Sequence, residues 1–384
     1  MDEVNRTKMG QHLSDQEAMT LAIQAATKGL GFVSPNPAVG CVILDQKNSL
    51  ISVGYHEKYG GPHAEINALR GLTPEQLTGA RVFVTLEPCA HYGKTPPCAE
   101  ALAKLPISEV IFGLYDPNPL VQGKGAAIVQ AAGIRATHYN QSSDALERVC
   151  EHFLKNMRTQ LPFVSLKIGT SLDGKIALKN GQSQWITGSE SREEAHRLRA
   201  QHDAMVVGVG TFLHDNPSLN IRHPQFPDKI NRVCVLDPQG RGVAALASSK
   251  LYSHHQPQDI FWAISAKEQD SLRALKGLGV QTLEVSTIEG SSILNLQDLL
   301  KQLWAHSVRS VLVEGGGHTV SHFINQKMAD RLYLFVAPLI IGETGGIGWT
   351  SHLNRIDFLN NSVKMGSFEM SSIGKDLLLT NRFL

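Results

Sequence analysis

The tripeptide His63-Ala64-Glu65, read with Pro88-Cys89 and Cys98 downstream, limits the folds open to this chain more than any other feature. An imidazole nitrogen and two thiolate sulfurs suit zinc, a borderline-soft ion that takes three protein ligands and leaves a fourth position to water when the site is catalytic. Ligands this far apart in sequence meet only where separate segments end at one edge of a common framework. The surrounding pattern supplies it. Proline before His63 suits the first position of a helix, and the strand pattern Arg81 to Leu86 runs into Glu87-Pro88-Cys89, again read as a helix start. Two strand-to-helix junctions then deliver all three ligands to one sheet edge, with a helix N-terminus favouring the thiolate form of Cys89.

Glu65 is not needed as a ligand. Two residues after His63 it can take a proton from the bound water and return it to a leaving amine. That is the division of labour in zinc-dependent nucleobase deaminases, whose signature is H-x-E followed by P-C-x-x-C. H-x-E alone is a weak signal in a chain with 16 histidines. Pro-Cys and a second nearby Cys raise its weight, because free cysteines are otherwise mostly small buried hydrophobes. Eight residues, Ala90 to Pro97, separate the cysteines where the short signature has two, so this is not a plain cytidine or tRNA-adenosine deaminase. The turn formers Gly93, Pro96 and Pro97 still allow the chain to return Cys98 to the metal.

With 384 residues the chain is long enough for two domains, and 42% hydrophobic against 18% charged residues fits a globular protein. A net charge of +1 and the lack of Lys/Arg runs argue against a nucleic-acid partner. Five scattered cysteines point to a reducing compartment. The first residues form no signal peptide, and the longest apolar run, Leu332 to Ile341, is too short for a bilayer. The expectation is a soluble cytoplasmic protein acting on a small molecule, with no membrane and no nucleic acid.

Along the chain, Ser14-Asp15-Gln16-Glu17 has the form of a capping box and predicts a helix from Asp15 to Lys28. Strands follow over Ala38 to Leu44 and Leu50 to Tyr55. After Cys98 a helix is expected through Leu105, then a strand over Val110 to Leu114 ending in Asp116-Pro117-Asn118-Pro119 and Gly123-Lys124-Gly125. These last segments read either as turns or as pocket walls at the carboxyl ends of strands. A helix from Ser143 to about Arg158 closes the first unit, and Leu161-Pro162 reads as the linker. The boundaries are a flexible stretch 1–12, a first domain 13–158 and a second domain 159–384.

The second half restarts the strand and helix alternation. Strands are predicted at Phe163 to Ile168, Met205 to Val209, Arg232 to Leu236, Ile260 to Ala263 and Val311 to Val313, and a second capping box at Ser191-Arg192-Glu193-Glu194. The last strand runs into Glu314-Gly315-Gly316-Gly317-His318, where glycines let backbone N–H groups approach a phosphate. Neither this loop nor Gly208-x-Gly210 completes G-x-G-x-x-G, which disfavours an ordinary Rossmann unit.

The ordered set of motifs closely resembles the bifunctional deaminase/reductase family of riboflavin biosynthesis, the RibD family. It comprises His63-x-Glu65, Glu87-Pro88-Cys89 through Cys98, Asp116 to Pro119, Gly123-Lys124-Gly125, Lys167 with Ser171 to Lys175, Gln184-Trp185-Ile186-Thr187, Asp215-Asn216-Pro217-x-Leu219-x-x-Arg222 and Glu314-Gly315-Gly316. The long interval between the cysteines is this family's own form. The resemblance implies an α/β chain of two domains: a cytidine-deaminase-like α/β/α sandwich, then a dihydrofolate-reductase-like α/β domain. It implies zinc and NADPH as cofactors, and a homo-oligomer.

By the same resemblance His63, Cys89 and Cys98 hold zinc and Glu65 shuttles the proton, while Asn36, His91, Lys94 and Asn118 contact substrate. Lys167, Asp215 and Glu314 are expected near the reacting sugar, with Ser183, Arg199, Leu219 and Arg222 holding substrate and its phosphate; Glu314 counts as both catalytic and substrate-binding. Gly169, Trp185, Thr211, Asp215, Gly315, Gly316 and Gly317 are expected to bind the dinucleotide. From its own stretch alone Asn36 reads as a turn former, and Arg199 as a solvated helix face.

Two other readings share the zinc motif. A nucleic-acid-editing deaminase requires a basic face, which the near-zero net charge disfavours. A structural zinc module requires a fourth protein ligand. Cys41 is the candidate, but it sits inside an apolar strand pattern.

Overall fold

A computed structural model describes residues 9–93, 96–118, 121–141 and 143–384. The chain divides into two units, Met1–Gln160 and Leu161–Leu384.

In the first unit α1 (Asp15–Thr27) precedes β1 (Gly40–Leu44) and β2 (Leu50–Tyr55), and α2 (Ala64–Leu69) and the single turn α3 (Pro74–Leu77) lead to β3 (Arg81–Leu86). Then come α4 (Cys98–Leu102), β4 (Glu109–Leu114), α5 (Lys124–Ala131), β5 (Arg135–His138) and α6 (Ser143–Thr159). The sheet order is β2-β1-β3-β4-β5. The β1 pairings are antiparallel, and β3-β4-β5 are parallel. Because side chains alternate along a strand, Cys41, Ile43, Val82, Val84 and Phe112 pack against α2, α4 and α5. Val42, Leu44, Phe83 and Ile111 turn the other way, to α1 and Leu146 of α6. Both faces are covered, which is why β1 is buried throughout and reads as an unbroken apolar run.

The capping box at Ser14 forms: Ser14 Oγ accepts from Glu17 N, and Glu17 accepts back from Ser14 N at 2.8 Å. Gly10 N donates to Leu50 O and Leu50 N to Gln11 O, both at 2.9 Å, so the chain is tied to β2 before Leu13.

The second unit is a nine-stranded sheet of order β11-β10-β9-β8-β12-β6-β13-β16-β15. Its members are β6 (Phe163–Ser171), β8 (Ala204–Gly208), β9 (Arg232–Leu236), β10 (Ile260–Ser265), β11 (Gln281–Val285), β12 (Ser310–Glu314), β13 (Arg331–Ala337), β15 (Glu369–Ile373) and β16 (Asp376–Arg382), while β7 (Lys175–Leu178) pairs apart with β14 (Gly346–Gly348). Strands β11 through β13 in that spatial order are parallel, and β16 and β15 are antiparallel. Helices α7 (Ser189–Gln201), α8 (Val209–Asp215), α9 (Val243–Leu246), α10 (Lys250–His254), α11 (Gln269–Gly277), α12 (Leu296–Ala305) and α13 (Gly317–Asn325) connect them. From β8 the chain steps outward to β11, and β12 returns between β8 and β6. The carboxyl ends of β6, β12 and β8 are therefore neighbours, the position where open α/β sheets bind ligands. Among the described residues no helix is long and apolar enough to cross a membrane.

Two local expectations change. His63, not Pro62, begins α2, as its N-cap. The Ser191 capping box does not form. Instead α7 starts at Ser189, and Asp376 at the head of β16 accepts from Gly188 N and Ser191 Oγ, both at 2.6 Å. A carboxylate from far along the chain serves the helix end for which the local sequence offers its own cap.

Candidate active sites

The N-cap position of α2 aims His63 at the loop after β3. Its Nδ1 lies 3.5 Å from Cys89 Sγ and 3.3 Å from Cys98 Sγ, and the ligand atoms of the three residues all lie within 4.8 Å of one another. For tetrahedral zinc, bond lengths of about 2.3 Å to sulfur and about 2.0 Å to nitrogen give N···S edges of about 3.5 Å. Both N···S distances match those edges. Cys98, rather than Cys89, occupies a helix start. Its amide donates to Cys89 Sγ at 3.2 Å. A hydrogen bond from Cys98, aided by His63 against burial, draws the Cys89 thiol down to about 4. Cys98 is pushed up by Cys89 and by burial. Cys41 lies in the core, fully buried, and is not part of the trio.

A cavity of about 220 Å³ opens over these residues, and His63, Glu65, Cys89, Asn36, His56 and His91 are among its walls. Glu65, in the first turn of α2, is only 3% exposed. Burial first, then the neighbouring Cys89, raises its carboxyl to about 7. Asn118 is next to the wall residue Asp116, whose Oδ1 accepts from Asn118 N at 2.9 Å. Lys94 lies outside the described residues.

Two residues to which the sequence reading assigned no role organise this cavity. His56, at the end of β2, has Nε2 3.3 Å from Asn36 Nδ2 and Nδ1 3.0 Å from Pro62 O; its ring meets His63 edge-on at 5.3 Å. Glu87 is buried and accepts from Asp116 N, Gly123 N and Ala126 N at 3.3, 3.0 and 3.2 Å. It thereby pins the start of α5 beside Pro88-Cys89. A Cβ on Gly125 would fall 1.9 Å from Pro88 O. The Gly123-Lys124-Gly125 motif is thus explained by close approach of α5 to the metal-ligand loop.

In the second unit the β12-β6 register sets Glu314 beside Lys167. Arg199 reaches from α7 and grips Glu314 with a two-pronged pair, Nε to Oε1 at 2.7 Å and Nη2 to Oε2 at 3.1 Å. Lys167 Nζ is 3.8 Å from Oε2. Burial alone would raise the Glu314 carboxyl, but Arg199 and Lys167 hold it at about 2. Burial lowers Lys167 although Glu314 opposes it. Arg199 is therefore no solvated helix residue. Its Nη1 donates to Asn220 O at 3.1 Å, and Arg222 Nη1 donates to Asn220 Oδ1 at 2.5 Å. Leu219, with φ of 52° and its side chain in the core, sets Asn220 between the two guanidinium groups. Asp215 is exposed at the end of α8 and, among the described residues, makes no ion pair with this cluster.

The glycines cluster at the ends of β8 and β12. A Cβ on Gly208 would be 2.4 Å from Thr319 Oγ1 and one on Gly315 would be 3.2 Å from Thr319 Cβ, so both let the first turn of α13 close on the sheet. One on Gly317 would be 3.1 Å from Gly348 O, and one on Gly316 would meet nothing within 4 Å. Open space thus faces the N-terminus of α13, whose N-cap Gly316 offers no capping side chain. Thr211 is half-buried in the first turn of α8, Gly169 faces Thr187, and Ser183 is half-buried ahead of α7. Trp185 is 68% exposed with the Arg192 guanidinium 4.5 Å over its ring.

Residues 162–379 match the family model described as the RibD C-terminal domain, and residues 13–114 match that of the cytidine and deoxycytidylate deaminase zinc-binding region. The riboflavin biosynthesis protein RibD of Aquifex aeolicus is 36% identical over 365 residues, covering 95% of this chain and 97% of that protein. The chain belongs to the RibD family. RibD of Escherichia coli K12 is 34% identical, covering 86% of this chain and 89% of its own. Among solved structures, Acinetobacter baumannii RibD matches with a TM-score of 0.82 at 33% identity, covering 96% of this chain and 99% of its own. The Thermotoga maritima diaminohydroxyphosphoribosylaminopyrimidine deaminase/5-amino-6-(5-phosphoribosylamino)uracil reductase matches with a TM-score of 0.80 at 31% identity, covering 96% and 98%.

As a RibD this chain is a bifunctional enzyme of riboflavin biosynthesis, with a zinc-binding deaminase domain carrying a His/Cys/Cys site and a reductase domain. His56 and Glu87 acquire their partners only through tertiary pairing.

Proposed function

We propose that the first unit deaminates 2,5-diamino-6-(ribosylamino)-4(3H)-pyrimidinone 5′-phosphate and that the second reduces the ribosyl group of the product to ribityl with NADPH. The observation that carries the first half is the convergence of His63, Cys89 and Cys98 beneath a cavity in which Glu65 is a buried wall residue. Zinc held by His63, Cys89 and Cys98 would supply a Lewis acid that acidifies the attacking water. Glu65 would take a proton from water and pass it to the departing amine. Asn36 and His91 in the cavity wall orient the pyrimidine, Asn36 being held by His56; Asn118 and Lys94 complete the substrate contacts.

The second half rests on the charged cluster at the ends of β6 and β12. Glycines at 315 to 317 and the open space at Gly316 suit a dinucleotide phosphate on the N-terminus of α13. Gly169 in β6, Thr211 and Asp215 in the helix after β8, and Trp185 ahead of α7 complete the dinucleotide site. NADPH bound there supplies the hydride. Lys167 and Glu314 order the reacting sugar, with Ser183, Arg199, Leu219 and Arg222 at its phosphate end. The Thermotoga maritima relative, a pyrimidine deaminase and uracil reductase by name, supports both the substrate and the pairing of the two steps. Five free cysteines agree with a reducing cytoplasm, and apolar Phe358 and Leu359, 71% and 87% exposed, agree with a homo-oligomer.

The test is a coupled assay on purified protein. The deaminated intermediate should accumulate without NADPH, and its disappearance on adding NADPH should match cofactor oxidised. Oxidation that occurs without the pyrimidine substrate, or deamination unaffected by stripping zinc, overturns the proposal.

A further inference from the structure

His196 lies on α7 one turn before Arg199, and Arg222 reaches it twice. Arg222 N donates to His196 Nδ1 at 3.1 Å, and Arg222 Nη2 lies 3.1 Å from His196 Nε2. A neutral imidazole has one accepting and one donating nitrogen. This geometry asks both to accept. The backbone N–H is fixed by the fold, whereas the guanidinium can swing on its stem, so Nδ1 is the acceptor and Nε2 carries the hydrogen. The imidazole stays neutral because burial, and then Arg199 and Arg222, hold it well below its usual value, at about 4. Nε2–H and an Arg222 Nη2–H are therefore two donors facing each other, their nitrogens 3.1 Å apart. Two adjacent donors of that kind are satisfied together by one oxyanion.

We infer that His196 is a ligand of the phosphate monoester at this end of the reductase site, donating Nε2–H to an oxygen that Arg222 also binds. The inference rests on reading the Arg199 and Arg222 end as a phosphate site. It adds a residue that the motifs do not contain, and it assigns the oxyanion to the sugar phosphate rather than to the dinucleotide. Three observations favour the sugar. Arg222 and Arg199 are joined through Asn220. Arg199 in turn holds Glu314. Glu314 stands in register with Lys167, the residue assigned to the sugar. His196 is half-buried, so the ring is reachable while Nδ1 stays occupied.

The experiment is calorimetric titration of the full chain with ribose 5-phosphate, NADPH and NADH as separate probes. His196→Phe removes the donor and keeps a planar ring. It should weaken ribose 5-phosphate by about tenfold or more, as expected for one hydrogen bond to a charged group, and leave both dinucleotides unchanged. His196→Gln, which can still donate and accept, should lose less. Unchanged ribose 5-phosphate affinity in His196→Phe overturns the inference. So does a loss confined to NADPH, which would place the oxyanion on the cofactor, or an equal loss for every probe, which would mean a purely structural role. Arg222→Met separates the His196 assignment from the phosphate site beneath it. If it too leaves ribose 5-phosphate binding intact, the phosphate-site reading fails; if it weakens binding and His196→Phe does not, only the His196 assignment fails.

Discussion

Replacing Glu314 by Gln removes one negative charge from between two buried cations. In the native chain the Glu314 carboxyl falls from the ordinary 4.5 to about 2 although burial opposes the shift. Its side chain is 12% exposed and that of Arg199 15%, so solvent screens the pair little. A depression of that size corresponds to about 3 kcal/mol at neutral pH. The sign follows from its direction. The folded-state pKa is the lower one, so the contribution is complete above about 4.5 and is lost as pH falls toward 2. The difference between native chain and variant should then be about 3 kcal/mol at pH 7 and about 2 kcal/mol at pH 3.5. All four tryptophans, Trp185, Trp262, Trp304 and Trp349, lie in the second unit. Tryptophan fluorescence in a urea titration therefore reports that unit without the first. With urea slopes of about 1–3 kcal/mol per molar, the midpoint at pH 7 should drop by roughly 1–3 M, reduction should be lost, and deamination should persist. A midpoint that stays put at pH 7, or a gap that widens on acidification, would refute the claim that Arg199 and Lys167 stabilise the charged form.

Glu65→Gln keeps the size of a buried side chain but not its proton traffic. It should cut deamination by about 10²–10⁴-fold while zinc content by metal analysis and the reductase rate stay at native levels. Gly125→Ala drives a Cβ into Pro88 O. The expected result is a loss of about 1–3 kcal/mol in the first unit, followed by hydrogen exchange in α5, with weaker zinc retention because Pro88 adjoins Cys89; native zinc affinity would show that the loop and α5 are not coupled.

Much of the deaminase half is legible because its signals are local. Ser14 and Glu17 cap α1 within one turn, and the apolar runs that mark β1 and β3 follow from burial on both faces of one sheet. The metal trio is legible because few other combinations of residue types suit a soft cation. What escapes the sequence depends on partners far along the chain. Asp376 displaces the Ser191 capping box across 185 residues. Glu87 finds three amide donors around α5. His196 has meaning only beside Arg222. Strand β15 is nearly all exposed, so it carries no burial periodicity to read.

The reductase site leaves one question that charge alone narrows. Turning a ribosyl into a ribityl group adds a hydride and a proton, and the proton needs a donor near the reacting carbon. Glu314 is a poor one: held at about 2 by two cations, it stays ionised throughout the neutral range and acts as a fixed charge that orients its neighbours. Arg199 does not release protons in proteins, and it is committed to Glu314 and Asn220. Asp215 is exposed and outside the ion-pair cluster. Lys167 differs from all three. Burial lowers its pKa, its three donors are only partly used by a 3.8 Å contact to Glu314, and a lysine so placed can give up a proton where an arginine cannot. Lys167→Arg preserves the positive charge beside Glu314 and removes the titratable group. It should lower kcat for reduction by about 10²-fold or more while the urea midpoint of the second unit moves far less than in Glu314→Gln. Retained turnover in Lys167→Arg would mean that the proton reaches the sugar from solvent, and that the cluster serves to position substrate alone.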